Sequence, residues 1–558
     1  MSDRGVGVAG AAQVGGVPWP ERDHAAVGLP ASFDIPVSGH LDALVDLAAG
    51  AGYLEWRRYR HAAALHTELV VPEEDRDERA VDAYAQCAAR IATALSVSQY
   101  VAERLLDNAV ALRDRLPRVF ECLRDGVVSP TFIRTIVSRT ELIHGRPYQE
   151  QVDADIAAAL RKPGSWSTAR VRDLCDQMVY RRDPDAVRER REEALKGRCF
   201  FTEAGLDGMG TVGATMSAER AAIVARVVER LAALVCKHDS RSTGARASDA
   251  LFALVKHAPF GCDCGRPECA FQVVDADEVA ANAARIVIHV VTDTTTLTGP
   301  TPAPAADTDT DTDTTTDTDT TAAAHPQARH VDPTAAAAVQ VVADEVTVEE
   351  PVVDEPAADG VSVDGAAVEA APAEPELIDG IGFVAGLGII SGAHVRDLAK
   401  DPDAVIRPLG DGTDTPLPAT QPADPYRPSA ALDAYVRARD QYCTWPGCNT
   451  PAWDGDLDHI TEYDHAHPER GGQTSATGLG AKCRFHHLLK TFGDFVDDQY
   501  PDPDHPGRII RTCTIPEGRT VLGPAHTGFD THPGLDMIVF GDPPATRPPS
   551  PCTEPTRP

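Results

Sequence analysis

Residues 437–490 read RARDQYCTWPGCNTPAWDGDLDHITEYDHAHPERGGQTSATGLGAKCRFHHLLK, and this stretch decides the fold of the C-terminal part of the chain. Cys443 and Cys448 flank the short turn TWPG, and Cys483 and His486 follow with C-x2-H spacing. Thiolates and an imidazole in two closely spaced pairs favour tetrahedral Zn²⁺. A domain of about 70 residues has a thin core, so a structural metal would supply folding free energy. Buried, reduced cysteines without a metal are the alternative.

The same stretch carries a second set of polar groups that the first set does not use. Asp458 and His459 lie in GDLDHIT, which reads as a strand, and His487 directly follows the zinc-type ligand His486. Adjacent residues on a helix point about 100° apart, so the two histidines can serve different sites. A carboxylate and an imidazole suit a hard divalent ion with open positions, and a further histidine can act as a general base.

The pattern C-x4-C … D-H … G-G-x-T … C-x2-H-H-x2-K resembles the HNH endonuclease module, which has a two-strand, one-helix metal-binding fold. The N-terminal segments RLPRVFECLRDGVVSP and DPDAVRERREEA resemble the actinobacterial 13E12-repeat proteins. Those proteins carry a helical domain of unknown function (number 222) ahead of an HNH module. The resemblance covers most of the chain outside its tails and acidic insert, and its N-terminal part implies no known activity.

The resemblance implies roles for particular residues. Asp458 and His487 would bind a catalytic divalent ion (Mg²⁺, Mn²⁺, Ni²⁺ or Zn²⁺), and His459 would deprotonate the water that attacks the scissile phosphate. The zinc-type set would hold the structural Zn²⁺. Nearby cations are candidates for contacts with DNA phosphates, or are ordinary helix-surface charges: Lys482, Arg484 and Lys490.

One position departs from the motif. The middle Asn of HNH precedes the Leu that stands four residues before the Cys-x2-His pair; that Leu is Leu479, so the Asn position falls on Gly478. Glycine cannot replace the hydrogen bonds of that Asn, which helps hold the general-base histidine. We therefore expect weakened activity, or support for the base from Thr474 or Thr477. The loop DHAHPER adds two histidines that are solvent-facing or alternative ligands, His465 and His467.

Three functional hypotheses follow. The leading one is a metal-dependent HNH endonuclease that hydrolyses DNA phosphodiester bonds. The alternative is a zinc-stabilised DNA-binding or interaction protein whose nuclease centre is impaired. The third is a regulatory protein that reads DNA through its helical N-terminal part. The partner in each nucleic-acid hypothesis is DNA, and no small-molecule cofactor is evident.

The overall charge argues against tight non-specific DNA binding. The formal net charge is −33, whereas a nucleic-acid-binding domain is expected to carry a basic patch. Residues 301–376 contain 18 acidic residues and one basic residue, so about half of the excess lies in one insert. Its Asp-Thr repeat and Ala/Val/Glu/Pro-rich remainder cannot bury enough apolar surface to fold.

The N-terminal half reads as mainly helical with a few strands. Two units between residues 79 and 143 resemble helix–turn–helix motifs, with Ser98 and Ser129 as predicted N-caps. They are either DNA-reading elements or ordinary hairpins of a bundle. The presumed reading helix begins SQYVAERLL, which has few base-reading or phosphate-binding side chains, and this favours the bundle.

The remaining cysteines do not form a secreted disulfide framework, because most stand alone in helical sequence. In HAPFGCDCGRPECAF, Cys262, Cys264 and Cys269, with His257 as a guessed fourth ligand, predict either a small zinc site or a metal-free turn. The sequence has no basic start with a Leu-rich run and no run of 18 apolar residues, so we expect no signal peptide and no membrane span. A cytoplasmic location follows as an expectation.

The predicted fold class is a mainly α N-terminal domain with a few strands, a small ββα-metal (HNH) module and a long disordered acidic insert. The predicted domains, in chain order, are a flexible tail (1–36), a helical domain (37–300), the insert (301–375), a completion of the helical domain (376–410), a Pro-rich linker (411–428), the HNH module (429–498), a β-hairpin extension (499–540) and a disordered tail (541–558).

Overall fold

The computed structural model describes residues 33–73, 82–205, 209–269, 271, 273–276, 278–279, 286–299, 301–302, 336–343, 377–401, 404–410, 415–505 and 508–541. Helices account for about half of these residues, and the sheets are small. The chain divides into two compact units, one formed by residues 1–179 with 414–558 and the other by residues 180–413.

The first unit begins with a group of helices whose starts follow local capping rules. Ser98 and Ser129 accept hydrogen bonds from the first-turn amides of α3 and α5, as predicted. No helix among the described residues has the length and apolar composition that a membrane span requires. The helices are α1 (Val37–Leu69), α2 (Ala83–Leu95), α3 (Gln99–Asp114), α4 (Pro117–Arg124), α5 (Pro130–Arg139), α6 (Gln149–Leu160) and α7 (Thr168–Arg182).

Helix α3 lies at the centre of this group and packs against α1 and α2. Its inward face is formed by small and branched apolar side chains that are almost fully buried, among them Leu105, Leu106 and Leu112. Such burial contributes of the order of 1.5–3 kcal/mol for each large side chain. This packing is that of a helical bundle.

Helix α7 connects the bundle to the C-terminal segment of the same unit. The buried guanidinium of Arg170 donates to the carbonyl oxygens of His526, Asp440 and Cys443. The hydroxyl of Tyr442 donates to the carboxylate of buried Asp173. Residues 37–179 therefore group with the C-terminal part of the chain in the first unit.

The C-terminal part of the first unit contains three small antiparallel sheets. The pairs β12–β13 and β14–β15 are separate two-stranded sheets, and β16–β17–β18 form a third. The elements are β12 (Thr420–Gln421), β13 (Asp424–Pro428), α13 (Ala430–Asp440), β14 (Asp456–His459), β15 (Leu479–Lys482), α14 (Arg484–Phe492), β16 (Val496–Pro501), β17 (Ile509–Thr514), β18 (Thr520–Leu522) and α15 (Gly528–Thr531).

Two predicted boundaries differ from these elements. The segment 411–428, predicted as a linker, contains the β12–β13 hairpin, in which Thr420 lies opposite Pro428. The predicted module end at residue 498 falls inside β16, which pairs with β17. The predicted β-hairpin extension contains the hairpin β17–β18, whose turn includes Gly518 at φ +85°.

The second unit combines three larger helices with a five-stranded sheet whose order is β10–β9–β5–β7–β11. Ser217 and Ser391 accept hydrogen bonds from first-turn amides at the starts of α9 and α12. The helices are α8 (Pro184–Lys196), α9 (Ala218–Ala233), α10 (Thr243–Lys256), α11 (Thr294–Thr298) and α12 (Gly392–Ala399). The strands are β1 (Phe200–Ala204), β2 (Gly210–Ala214), β3 (Pro259–Phe260), β4 (Val274–Asp275), β5 (Ile286–Asp293), β6 (Thr301–Pro302), β7 (Ala336–Ala343), β8 (Leu377–Ile378), β9 (Ile381–Val384), β10 (Gly388–Ser391) and β11 (Ala404–Pro408).

Strand β7 lies within the range 301–375 that the sequence predicts as disordered. It pairs with β5 and β11, so the prediction does not extend to residues 336–343. Its β-branched and small residues, AAAVQVVA, suit an inner strand of a sheet. Most of the predicted insert and the greater part of both predicted tails lie outside the described residues.

Candidate metal and reaction centre

The backbone frame of the candidate site is a two-stranded sheet followed at once by a helix. Strand β14 runs antiparallel to β15, with Asp456 opposite Lys482 and His459 opposite Leu479. Cys483 then begins helix α14. Side chains alternate across a strand, so Asp456 and Asp458 share the face toward α14, and His459 points to the other face.

Buried charged groups hold the inner strand of this frame. The carboxylate of Asp440 accepts a hydrogen bond from the Ala481 amide at 2.8 Å. The guanidinium groups of Arg439 and Arg511 both donate to the Leu479 carbonyl, at 2.8 and 2.6 Å. All three side chains are almost fully buried. Charge-assisted hydrogen bonds of this kind hold β15 in place. They thereby also position β14, which carries His459, and α14, which carries His486 and His487.

The four predicted zinc ligands converge at one point. The ligand atoms of Cys443, Cys448, Cys483 and His486 all lie within 4.8 Å of one another. Nδ1 of His486 is 3.5 Å from the sulfur of Cys443 and 3.2 Å from that of Cys483. Ligands about 2.0–2.3 Å from one tetrahedral ion have separations of this size, so the donor set fits Zn²⁺.

The surroundings of this set suit a thiolate-bound metal. The pKa of Cys448 falls to about 4, first because the Cys443 thiol donates a hydrogen bond to it. The thiolate is the form that binds metal. The Trp445 ring stacks on His486 with centroids 4.9 Å apart, and Phe495 packs beside it. The set thus sits in a small core that a metal would complete.

The second predicted set is brought together by β14 and α14. Nε2 of His487 lies 3.7 Å from Oδ1 of Asp458. Two ligands that are each about 2 Å from one ion are separated by roughly 3–4 Å, so this pair fits a single divalent ion. The sequence prediction that His486 and His487 serve different sites agrees with this geometry.

A third member of this set, Asp456, was not predicted from the sequence. Its Oδ2 lies 3.0 Å from Nδ1 of His487, and this contact is the first reason that the pKa of Asp456 lies below its ordinary value. Asp456 and Asp458 face opposite nitrogens of one ring. An ion bound at Nε2 can take Asp458 as a ligand, whereas Asp456 orients the ring. The D-x-D spacing within a strand was the signal for it.

The three predicted DNA-contacting cations have different environments. The side chain of Arg484 is 73% exposed and 3.5 Å from Asp456. Lys490 is bound to the site itself, with Nζ 2.9 Å from Oδ2 of Asp458 and a second hydrogen bond to the His459 carbonyl.

Lys482 cannot contact DNA from its position, which corrects the prediction. Its side chain is only 1% exposed, and Nζ lies 2.8 Å from both the Asp497 carboxylate and the Thr444 hydroxyl. It also lies over the ring of Trp445, with Nζ 5.5 Å from the centroid. Strand alternation turns this lysine inward, into the zinc-type core, where its charge is neutralised by a buried partner.

His459 is held in a pocket on the opposite face of β14. Its Nε2 lies 2.9 Å from the Thr474 hydroxyl, and that hydroxyl donates its only proton to the Tyr426 carbonyl at 3.0 Å. The hydroxyl oxygen must then accept from Nε2–H, which leaves Nδ1 as the unprotonated nitrogen. Burial lowers the pKa of His459, so the neutral ring is favoured.

Aromatic rings surround this histidine. Tyr426, from the hairpin that the sequence predicted as linker, stacks on His459 with centroids 5.2 Å apart, and Tyr463 lies at the same distance. His465 packs on Tyr426 at 4.8 Å. The exposed His467 lies 3.7 Å from Asp464. Neither loop histidine belongs to a metal-type cluster of the described residues.

Gly478 occupies a position with no room for a side chain. A Cβ there would approach the Gln473 carbonyl more closely than real Cβ atoms do, and would lie 2.9 Å from the Ser475 hydroxyl. The Gly478 carbonyl accepts a hydrogen bond from the Ile460 amide at 2.9 Å. Of the two threonines that the sequence offered as substitutes for the motif Asn, Thr474 is the one that contacts His459.

Comparison with known proteins adds a family match for the N-terminal half. Residues 54–313 match the family model described as "Domain of unknown function (DUF222)", so this domain is present. The uncharacterized protein Rv3776 of Mycobacterium tuberculosis (strain ATCC 25618 / H37Rv) is 29% identical over 501 residues, which cover 89% of this chain and 78% of that protein.

A second relative is the uncharacterized protein MT2160 of Mycobacterium tuberculosis (strain CDC 1551 / Oshkosh). It is 29% identical over 464 residues, which cover 83% of this chain and 72% of that protein. No solved structure matches the chain. The family match ends before residue 437, so the interpretation of the metal centre depends on its own residues.

Proposed function

We propose that the β14–β15–α14 unit is the reaction centre of an HNH-type, metal-dependent endonuclease that hydrolyses DNA phosphodiester bonds. The observation that carries the proposal is the 3.7 Å separation of His487 Nε2 and Asp458 Oδ1. A carboxylate and an imidazole converge there on the partly exposed edge of a small domain. A neutral histidine follows the carboxylate in sequence.

Asp458 and His487 would hold the divalent ion. When bound, such an ion polarises a phosphate and stabilises the charge that develops on the leaving oxygen. Asp456 fixes the His487 ring through Nδ1, so that Nε2 carries the lone pair toward Asp458. Lys490 neutralises the second oxygen of Asp458 and anchors the end of β14 through the His459 carbonyl.

His459 would take the proton of the attacking water at Nδ1. Thr474 holds the proton of the ring on Nε2, and burial keeps the imidazole neutral near physiological pH. The stacked ring of Tyr426 fixes the plane of the imidazole. Thr474 thus sets the tautomer of the general base, and Tyr426, from a separate segment, sets its orientation.

The charge distribution supports DNA as the substrate only in the immediate neighbourhood of the site. Arg484 is exposed beside Asp456 and can contact a phosphate of the strand that enters the site. The net charge of −33 opposes tight non-specific binding. We therefore expect weak, strongly salt-dependent association with DNA.

One observation favours the alternative of a zinc-stabilised DNA-binding or interaction protein with an impaired centre. The motif Asn is absent, and the space at Gly478 does not admit a side chain. Under this alternative, the zinc-type set keeps its structural role while no cleavage occurs.

The experiment that separates the two is a nicking assay on supercoiled plasmid DNA with the full chain. The protein is incubated with added Mg²⁺, Mn²⁺ or Ni²⁺, and in parallel without an added ion. Conversion to the open-circular or linear form that depends on the added ion supports the endonuclease. Binding of DNA without cleavage under every ion supports the alternative.

A further inference from the structure

Four cysteines of the second unit converge at a point remote in sequence from the HNH-like stretch. The sulfur atoms of Cys236, Cys262, Cys264 and Cys269 all lie within 4.8 Å of one another, and those of Cys236 and Cys262 are 3.5 Å apart. The sequence offered three of them with His257 as a guess for the fourth. The fourth member is instead Cys236, which lies just beyond the end of α9.

We propose that these four cysteines hold a second structural Zn²⁺ as a tetrathiolate. The site is independent of the proposed nuclease centre, and its role is to fix the fold of the DUF222 part of the chain. Four soft ligands in a tetrahedral set select zinc or iron among the metals of the cell, and a structural site with all four positions filled by protein is typical of zinc.

The spacing of the sulfur atoms fits a metal better than disulfides. Four ligands about 2.3 Å from one tetrahedral zinc ion are separated from each other by roughly 3.8 Å. A disulfide requires a sulfur–sulfur distance of about 2.0 Å. Cys236 and Cys262, at 3.5 Å, match the edge of the tetrahedron.

The backbone around the site supplies donors to the sulfur atoms. The Arg266 amide donates a hydrogen bond to the sulfur of Cys264. The Cys264 amide likewise donates to the sulfur of Cys262, and the Phe271 amide donates to the sulfur of Cys269. Hydrogen bonds of this kind orient the sulfur atoms, as the outer-shell contacts of metal ligands do.

A second layer of contacts ties together the two chain segments that bring the ligands. The Asp239 carboxylate accepts from the Asp263 amide at 2.8 Å, and Arg241 donates to the Gly261 carbonyl at 2.8 Å. Arg241 also pairs with Asp239 and lies over the ring of Phe260. These contacts hold the loop after α9 and the loop after β3 together without a metal ion.

The packing beneath the site explains why a metal would be useful there. Among the described residues, the core below it has seven buried side chains, four of them alanine, and Cys262 packs against this group. A core of this size contributes little folding free energy, and a structural zinc is a common supplement. The metal would join the end of α9 to the β3–β4 hairpin.

The test is the zinc content of the full chain, purified under reducing conditions and measured by inductively coupled plasma mass spectrometry. We expect two zinc ions per chain. Cys443→Ser removes the ion of the HNH-like stretch and should leave one, and Cys236→Ser should also leave one. Cys199→Ser, which changes an exposed cysteine of the same unit outside the cluster, should leave two.

A spectroscopic measurement covers the case in which Cys236→Ser fails to fold. Cys443→Ser reconstituted with Co²⁺ should show the thiolate-to-metal charge-transfer and visible bands of a four-sulfur tetrahedral site. Wild-type protein with one zinc ion per chain that Cys443→Ser loses would overturn the proposal. A disulfide among the four cysteines in reduced preparations, or iron in place of zinc, would overturn it as well.

Discussion

Nδ1 of His487 lies 3.0 Å from Oδ2 of Asp456, while Nε2 of the same ring lies 3.7 Å from Oδ1 of Asp458. The Asp456 carboxylate thus orients the His487 imidazole. The gap between that imidazole and the Asp458 carboxylate has the size that one bound ion requires. This arrangement assigns Asp456 as a positioning residue and Asp458 as a ligand.

Asp456→Ala should weaken binding of the catalytic ion by roughly 10–100-fold, because the ring that carries the ligand nitrogen loses its orienting partner. Asp456→Asn, which keeps an acceptor oxygen, should recover part of the loss. The measurement is a Mn²⁺ titration followed by electron paramagnetic resonance of the free ion. The control is Asp498→Ala, on the exposed side of β16. Equal Mn²⁺ affinity in Asp456→Ala and wild type would contradict the assignment.

Lys482→Ala should lower the free energy of unfolding by about 3–5 kcal/mol, because it leaves the Asp497 carboxylate buried without its partner. Urea unfolding measures this change. The double variant Lys482→Met/Asp497→Leu should recover most of it. A Lys482→Ala protein of unchanged stability but weaker DNA binding would restore the role that the sequence predicted for this lysine.

Arg484→Ala should behave in the opposite way. Its side chain is 73% exposed, so the free energy of unfolding should change by no more than about 0.5 kcal/mol. DNA affinity at low salt should fall, and the slope of log affinity against log salt should decrease by about one. A salt slope equal to that of wild type would remove Arg484 from the DNA-contacting surface.

Thr474→Val should reduce the cleavage rate by roughly tenfold or more, because the buried Nε2–H of His459 loses its acceptor and such a group costs about 1–3 kcal/mol. Thr474→Ser should restore activity. The ring nitrogen resonances of His459 provide a readout besides activity, since the tautomer preference should weaken in the valine variant only. Unchanged resonances would show that Thr474 does not set the tautomer.

Gly478→Asn, which restores the motif residue, should not increase cleavage. Its Cβ meets the Gln473 carbonyl, so we expect the free energy of unfolding to fall by about 1–3 kcal/mol. Gly518→Asn is the control, because Gly518 has a positive φ and open space around it, and Asn tolerates that conformation. A stable Gly478→Asn protein with faster cleavage would mean that the wild-type centre is impaired by this glycine.

Local signals in the sequence accounted for much of the site. The spacing of Cys443, Cys448, Cys483 and His486 predicted a cluster that the structure brings together, and the adjacent histidines separate as the helix period requires. The serine caps at the starts of α3 and α5 could be predicted for the same reason. Each of these depends on residues within one turn or one short segment.

Long-range partners were not readable. In the sequence Lys482 resembles a surface cation, but in the structure it is buried against Asp497 and Trp445. Tyr426, which stacks on His459, lies in a Pro-rich segment that was predicted to be a linker. Cys236 lies 26 residues before Cys262, in a different element. Such contacts are set by packing between segments, which composition and periodicity do not encode.

His459 is proposed to act as the base for water activated by an ion that Asp458 and His487 would hold. The most direct test is plasmid nicking by wild type and His459→Ala at matched zinc content and matched circular dichroism. The account predicts cleavage by wild type that depends on an added divalent ion, and a loss of about 10²–10⁴-fold in the variant. Equal cleavage by the two proteins, or no cleavage by wild type with any ion, would contradict it.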